Sequence, residues 1–527
     1  MRGLSARFLK FKYQKFVYTL LCIYLLVNTG LFSDEFRLLL LMQNKSLLGA
    51  FRLERMFVSN PLSHYLFNFF LFFAKNGQLM TIEILKILYI LLSIYLISKF
   101  FSIFLTESNA LLAAFFFVFY PIHDSVTYFF LAQQIFFNFA FYYYAYYLAY
   151  NNRLVLACIF SFLGSFVFYG SPPIALGLFV LFLLNKEIKK GLIIYIPNLI
   201  YIVYFLTVVK IFKLGAASKL PDVFEITAFI KSFILQILSF IDAMIGPSMW
   251  MKVYYSFYQL SFMSCIIGCL IIVLLYLSIG KKFYVNERPL GRIIPNDTHL
   301  KLIISFTVML FASFVMFAIT GKYPQMAFNF GNRTTVYGAF IVAYLLVAGP
   351  LSKNKKVVIY SLIILVILGV SDHWKRWTIH QQVVIDKIRS NESLRHYEDK
   401  KIIYVSGNQY SKYGPISHIE FLSEDWVSDS VLRLALAKNI FAKSLNRRHK
   451  YTDGYLIDTK YNLKTKLDDY INIYDSEKDI LFKLKPEEIN GYIESLPFDK
   501  RHWIQMVDIK FINDLVNKLM PRLKYAL

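Results

Sequence analysis

Twelve carboxylates precede residue 371, few enough that each can be asked what chemistry it could do. Asp34 and Glu35 open the segment that follows the first long apolar run. A carboxylate held there can take a proton from a hydroxyl or hold a divalent cation such as Mg or Mn. The residues after them, FRLLLLMQNKSLLGAFRLERMF, mix apolar runs with Arg37, Lys45, Arg52, Glu54 and Arg55. Such a segment suits helices lying in a membrane interface, with the basic side towards phosphates. His123 and Asp124 follow Tyr120-Pro121-Ile122 at the join of two further apolar runs. A third cluster runs from Gly321-Lys322-Tyr323-Pro324 to Asn332-Arg333-Thr334. There Arg333, with Lys322 as helper, offers a planar bidentate donor beside free backbone N–H groups at a helix start, an arrangement suited to phosphate. Each group also has a plainer role: a polar helix end for Asp34 and Glu35, a cap of the next helix for Asp124, a snorkelling cation for Arg333. The four cysteines lie in apolar runs and have no zinc-ligand spacing.

The elements that must position these residues are membrane helices. The chain is 57% hydrophobic and only 17% charged, with a mean hydropathy of +0.49, against roughly 25% charged for soluble proteins. Up to Val370 there are 31 basic and 12 acidic residues, and from Ser371 onward 26 and 22. That shift divides the chain into a transmembrane domain, 1–371, and a soluble domain, 372–527. Apolar runs near 16–32, 79–98, 109–121, 125–149, 153–169, 172–184, 191–212, 254–279, 301–320, 336–350 and 355–371 predict about eleven spans. Residues 61–74 form a half-length run suited to the interface, and 219–245 an amphipathic helix on the outer surface. Glu83 and Lys86, three apart on one helix, are expected to pair.

Lys and Arg at the N-terminus and within 186–190, 281–292 and 353–356 mark cytoplasmic ends. With eleven spans, 33–60, the turns near 122–124 and 170–171, 213–253, 321–335 and the whole tail then face outward. The net charge of +23 is therefore an orientation signal with some phosphate contacts, and no nucleic acid is expected. In the tail, strands are predicted near 401–407 and 479–485 and helices near 381–397, 428–444 and 508–522, an α/β or α+β domain. The tyrosine-rich run 136–150 suggests a sugar-stacking platform but reads better as the ordinary preference of Tyr for membrane interfaces in a chain rich in Phe and Tyr, and His418, His449 and His502 read as structural or exposed.

Ser33-Asp34-Glu35-Phe36-Arg37, followed by interfacial helices, Arg55 and Ser59-Asn60-Pro61-Leu62, resembles the first outer loop of the GT-C class of integral-membrane glycosyltransferases. It looks most like the bacterial branch that decorates surface polysaccharide or lipid, O-antigen glucosyltransferases included. The resemblance implies a polytopic helical fold in a bacterial inner membrane, with the tail outside the cytoplasm. It also implies transfer of a sugar from a polyprenyl-phosphate carrier to a glycan, lipid or protein acceptor. Asp34 would be the base or metal-associated acid, Glu35 its neighbour, Asp124 and His123 a second acidic site. Two rivals are a lipid-linked-sugar flippase or transporter, which would bury charges mid-span as relays, and an O-antigen polymerase or ligase, which would depend on a large central loop.

Overall fold

The computed structural model describes residues 2–214, 224–280, 296–321, 324–397 and 401–506, with 510, 511 and 514. The long apolar runs become helices, because a backbone surrounded by lipid must satisfy its polar groups within its own segment. In chain order these are α1 (Arg2–Leu26), α2 (Asp34–Gln43), α3 (Leu47–Phe51), α4 (Pro61–Ser63), α5 (Met80–Phe101), α6 (Glu107–Val118), α7 (Asp124–Tyr128), α8 (Gln134–Tyr150), α9 (Leu154–Val167) and α10 (Pro172–Leu184). There follow α11 (Ile188–Leu206), α12 (Ile226–Met244), α13 (Pro247–Tyr258), α14 (Phe262–Gly280), α15 (Asn296–Thr320), α16 (Val336–Ala348), α17 (Lys353–Ser390), α18 (Glu392–Arg395), α19 (Asp425–Leu436) and α20 (Ile489–Ser495).

Among the described residues six helical segments are long and apolar enough to cross a membrane: 80–101, 107–128, 188–211, 226–258, 297–320 and 353–390. Shorter apolar helices cover 14–26, 154–167, 172–184 and 262–276. The segment expected as a surface helix over 219–245 contributes to one of the six. Its helix, α12, packs along α15 through Phe233 against Phe311 at 5.4 Å and Phe240 against Phe314 at 5.3 Å. The half-length run 61–74 forms short helical turns. Tyrosines of α8 are buried between helices: Tyr143 stacks on Phe340 at 4.3 Å, and the Tyr142 hydroxyl meets Ser165 at 2.6 Å.

The tail has β1 (Ile403–Ser406), β2 (Tyr410–Tyr413), β3 (Ile416–Glu420), β4 (Ala442–Ser444), β5 (His449–Thr452), β6 (Tyr455–Asp458), β7 (Leu463–Lys466), β8 (Ile471–Asp475) and β9 (Ile480–Leu484). One sheet has the order β4-β1-β8-β9, with β1 parallel to both neighbours and β9 antiparallel to β8; β2-β3 is a hairpin and β5-β6-β7 a meander. The expected strands are thus present. The expected helix over 428–444 is α19, which starts earlier and stops at a left-handed Ala437 (φ 51°), after which the chain turns back as β4. The helix expected over 508–522 falls almost wholly outside the described residues.

α17 runs unbroken through residues 371 and 372. At 1.5 Å per residue it is about 57 Å long, roughly twice a hydrocarbon layer of about 30 Å. Trp374 therefore lies about 30 Å along the helix from Lys353, one layer thickness away. Gly369 permits α17 its close approach to α13, since a Cβ there would overlap the Ser256 carbonyl. Gly369→Ala should push the helices apart and cost about 1–3 kcal/mol, read as a lower thermal midpoint of the detergent-solubilised protein with unchanged helix content.

The loops after α1 and α9 are tied to the tail and to neighbouring helices. Ser33 bonds Glu420 of the tail at 3.2 Å, the Tyr201 hydroxyl donates to the Ser59 carbonyl at 3.1 Å, and that of Tyr337 donates to the Gly170 carbonyl at 2.5 Å.

Candidate functional site

Asp34 and Glu35, adjacent in sequence, point to different worlds. Ser33 ahead of them takes a positive φ of 45°, uncommon for a residue with a side chain, and α2 starts at that turn. Asp34 stays exposed at the start of the helix, where the Trp426 indole N–H donates to its Oδ1 at 2.7 Å. Glu35 is fully buried and accepts the backbone N–H of Phe32 at 2.8 Å and of Leu131 at 3.0 Å. Its two oxygens staple the first outer loop to the segment after α7. Lys86, also buried, donates to the carbonyls of Thr29 (2.8 Å) and Gly30. Among the described residues it makes no ion pair with Glu83, because the loop carbonyls take its ammonium instead.

Asp124 is the centre of a closed network. Its Oδ1 accepts from Lys252 Nζ at 2.8 Å and from the Asn332 amide; its Oδ2 accepts from Trp374 Nε1 and His418 Nε2, each at 2.9 Å. Lys252 also donates to the Ala327 carbonyl at 2.6 Å. Asp124 and Lys252 are 1% and 0% exposed, so this carboxylate is saturated with donors and sealed from any substrate. On β3, His418 receives the Asn329 backbone N–H at Nδ1 (2.9 Å), which assigns the Nε2–H tautomer. Burial pushes this imidazole below the ordinary histidine range, against the pull of Asp124. Glu420, two residues further along β3, is the partner of Ser33. One strand of the tail thus bonds both to Asp124 and to the residue before Asp34, with the alternate residues that a strand directs to one face.

The other sequence candidates fall elsewhere. His123 is buried among Phe117, Tyr120 and Phe136, with ring centroids 5.6–6.1 Å apart. Arg333 lines a small pocket with Tyr169, Phe317 and Tyr337, and Asp34 does not line it. Arg37 and Arg55 are exposed, Arg37 three residues after Asp34 on α2 and so on the same side of the helix. Lys322 lies outside the described residues. No group of three or more His, Cys, Asp or Glu among the described residues is placed to hold a metal ion.

Beyond Asp34 lies polar ground that the sequence did not advertise. Trp426 neighbours Tyr461 at 6.0 Å, and the charges of Lys460 and Arg448 sit 5.0 and 5.5 Å from the Tyr461 ring. Arg448 forks onto Glu424 at 3.0 and 2.9 Å, and Lys460 reaches the same carboxylate at 2.5 Å. Burial alone would raise Glu424, but these two cations hold it below the usual carboxylate range. Glu420 goes the other way, raised by burial and by the neighbouring Glu424 charge. The surroundings thus shift two neighbouring carboxyls in opposite directions. A carboxyl raised on folding favours the folded state below the ordinary Glu value, about 4.3, and loses that contribution as pH rises through the folded value. Glu420→Gln should therefore flatten the fall in thermal midpoint above that pH, and match or exceed the wild type at neutrality; a pH series of melting curves reads this directly.

Comparison of the chain with models of known protein families, with curated proteins and with solved structures finds no match.

Proposed function

We propose that this chain is an integral-membrane glycosyltransferase of the GT-C class. It takes a sugar from a polyprenyl-phosphate carrier and transfers it, on the non-cytoplasmic face of a bacterial inner membrane, to a surface glycan, lipid or protein. The observation that carries the reading is Asp34: an exposed carboxylate on the first turn of α2, beside Trp426, where the outer loops and the tail converge. There it takes the proton of an acceptor hydroxyl as that oxygen attacks the anomeric carbon. Arg37, exposed on the same side of α2, faces the departing phosphate; Arg55 and Arg333 serve the lipid carrier further out. Trp426 and Tyr461 give an amphipathic surface for a sugar ring, an apolar face with a polar edge. Glu35 and Asp124 act as structural ties in this reading.

The transporter reading gains one observation, the buried Lys86 and Lys252, since charges inside a membrane domain are its expected relay groups. Both ammonium groups are bound to loop carbonyls or to Asp124 at the end where the outer loops meet, which suits ties better than relays. The test is mass spectrometry of surface glycans from the wild type and from an Asp34→Asn strain with equal amounts of folded protein. Loss of one sugar mass supports transfer and identifies the donor; unchanged glycans would remove Asp34 from the reaction.

A further inference from the structure

A cavity of about 600 Å³ opens in the tail, and its lining includes Arg448 and Lys460, the two cations beside Tyr461. Five cations line it: Arg447, Arg448, Lys450, Lys460 and Arg501. The lining carboxylates are Glu494 and Asp499, and Asp499 is already held by Lys412 at 2.7 Å. The acids that pair with Arg448 and Lys460 lie behind them: Glu424 is 2% exposed and Asp458 is 6%. These buried carboxylates fix the cations in place, and the cavity face itself stays positive. Arg447 is anchored in a similar way through the carbonyls of Leu496 and Glu494, each at 2.5 Å. Two aromatic faces lie alongside, Phe498 at 5.8 Å from the Arg447 guanidinium and Tyr410 at 4.8 Å from that of Arg501. Asn446, Asn490 and Gln505 add amide groups to the wall.

Resting on the transferase reading above, we infer that this cavity binds an anionic saccharide, the acceptor chain whose free end is presented to Asp34. The volume lies within the range of about 300–1,000 Å³ found for organic ligands and exceeds what one inorganic phosphate fills. Fixed guanidinium groups recognise carboxylate or phosphate substituents, and the aromatic faces take the apolar side of a sugar ring. Lys460 and Arg448 lie beside Tyr461, Tyr461 lies beside Trp426, and Trp426 donates to Asp34. A chain held in the cavity therefore needs only to pass over two aromatic rings to bring a hydroxyl to the carboxylate.

Calorimetric titration of the full-length protein in detergent tests this with three probes: trigalacturonic acid, maltotriose and inorganic phosphate. Saturable binding of trigalacturonic acid is expected, at least about tenfold tighter than maltotriose or phosphate, a gap of about 1.4 kcal/mol, and weaker at high salt. Lys450 is exposed on the β5 strand, so Lys450→Glu should fold normally and weaken binding about tenfold or more, while Lys450→Arg retains it. The inference is overturned if trigalacturonic acid fails to bind, if maltotriose binds as tightly, if phosphate alone binds as tightly, or if Lys450→Glu changes nothing. Binding is read without any transfer. A protein that binds the charged trisaccharide while Asp34→Asn leaves the glycans unchanged keeps the cavity and loses the transferase; the reverse result loses only the cavity.

Discussion

Replacing Lys252 with Met should be among the most damaging single changes in the chain, although Lys252 stands apart from every proposed step of chemistry. The Asp124 carboxylate would keep its bonds from Trp374, His418 and Asn332 but lose the Lys252 ammonium that pairs with it, while burial lowers the affinity of His418 for a compensating proton. An uncompensated buried carboxylate costs about 3–5 kcal/mol, a large part of the roughly 5–15 kcal/mol that stabilises a typical domain. The damage should also be spatially specific. The five groups come from α7, α13, the turn before α16, α17 and β3, so losing the cation loosens the joint between tail and helices. A lower thermal midpoint and earlier proteolytic cleavage within 401–506 are the expected readouts. The double variant Lys252→Met with Asp124→Asn removes the stranded charge and should recover part of the loss, and the four proteins form a cycle that isolates the pair. If Lys252→Met melts as the wild type does, the pair is not the tie that its geometry indicates.

This network shows where sequence reasoning reached and where it stopped. Asp124 was visible because acids are so scarce before residue 371, and His418 was legible as structural. Lys252 carried a signal that went unused: a single cation inside PSMWMKVYYSFY, where a lysine without a buried partner would be costly. The division between Asp34 and Glu35 was not legible, because it depends on the positive φ of Ser33 and on which backbone N–H groups come within reach. Trp426 and Glu420 lie almost 400 residues from Asp34, in a tail whose docking is set by side-chain complementarity that local pattern does not encode. The helix α12 was assigned by its amphipathic pattern, yet it packs lengthwise on α15 through phenylalanines, a choice between surface and neighbour that periodicity leaves open.

Asp34→Asn and Glu35→Gln should fail in opposite ways, and the contrast separates chemistry from folding. In Asp34→Asn the amide oxygen can still accept the Trp426 indole N–H, so the side chain keeps its place and the fold its stability. What disappears is the ability to take a proton, and the transfer rate should fall about 10²–10⁴-fold, with donor binding little changed because the phosphate contacts remain. Asp34→Glu keeps the carboxylate but moves it by one methylene, and should retain more activity than Asn. In Glu35→Gln one oxygen becomes an NH₂ group facing the backbone N–H of either Phe32 or Leu131. A buried donor then meets a donor, at a cost of about 1–3 kcal/mol, and the protein should melt earlier while the fraction that remains folded keeps its turnover. Measured side by side, with a synthetic polyprenyl-phosphate sugar as donor and turnover normalised to folded protein, Asp34→Asn should change the rate and Glu35→Gln the amount. An Asp34→Asn enzyme with undiminished turnover would remove the carboxylate from the mechanism. A Glu35→Gln protein that melts normally yet turns over slowly would transfer the role of base to Glu35, and with it would require an opening of the loop that now seals that residue from solvent.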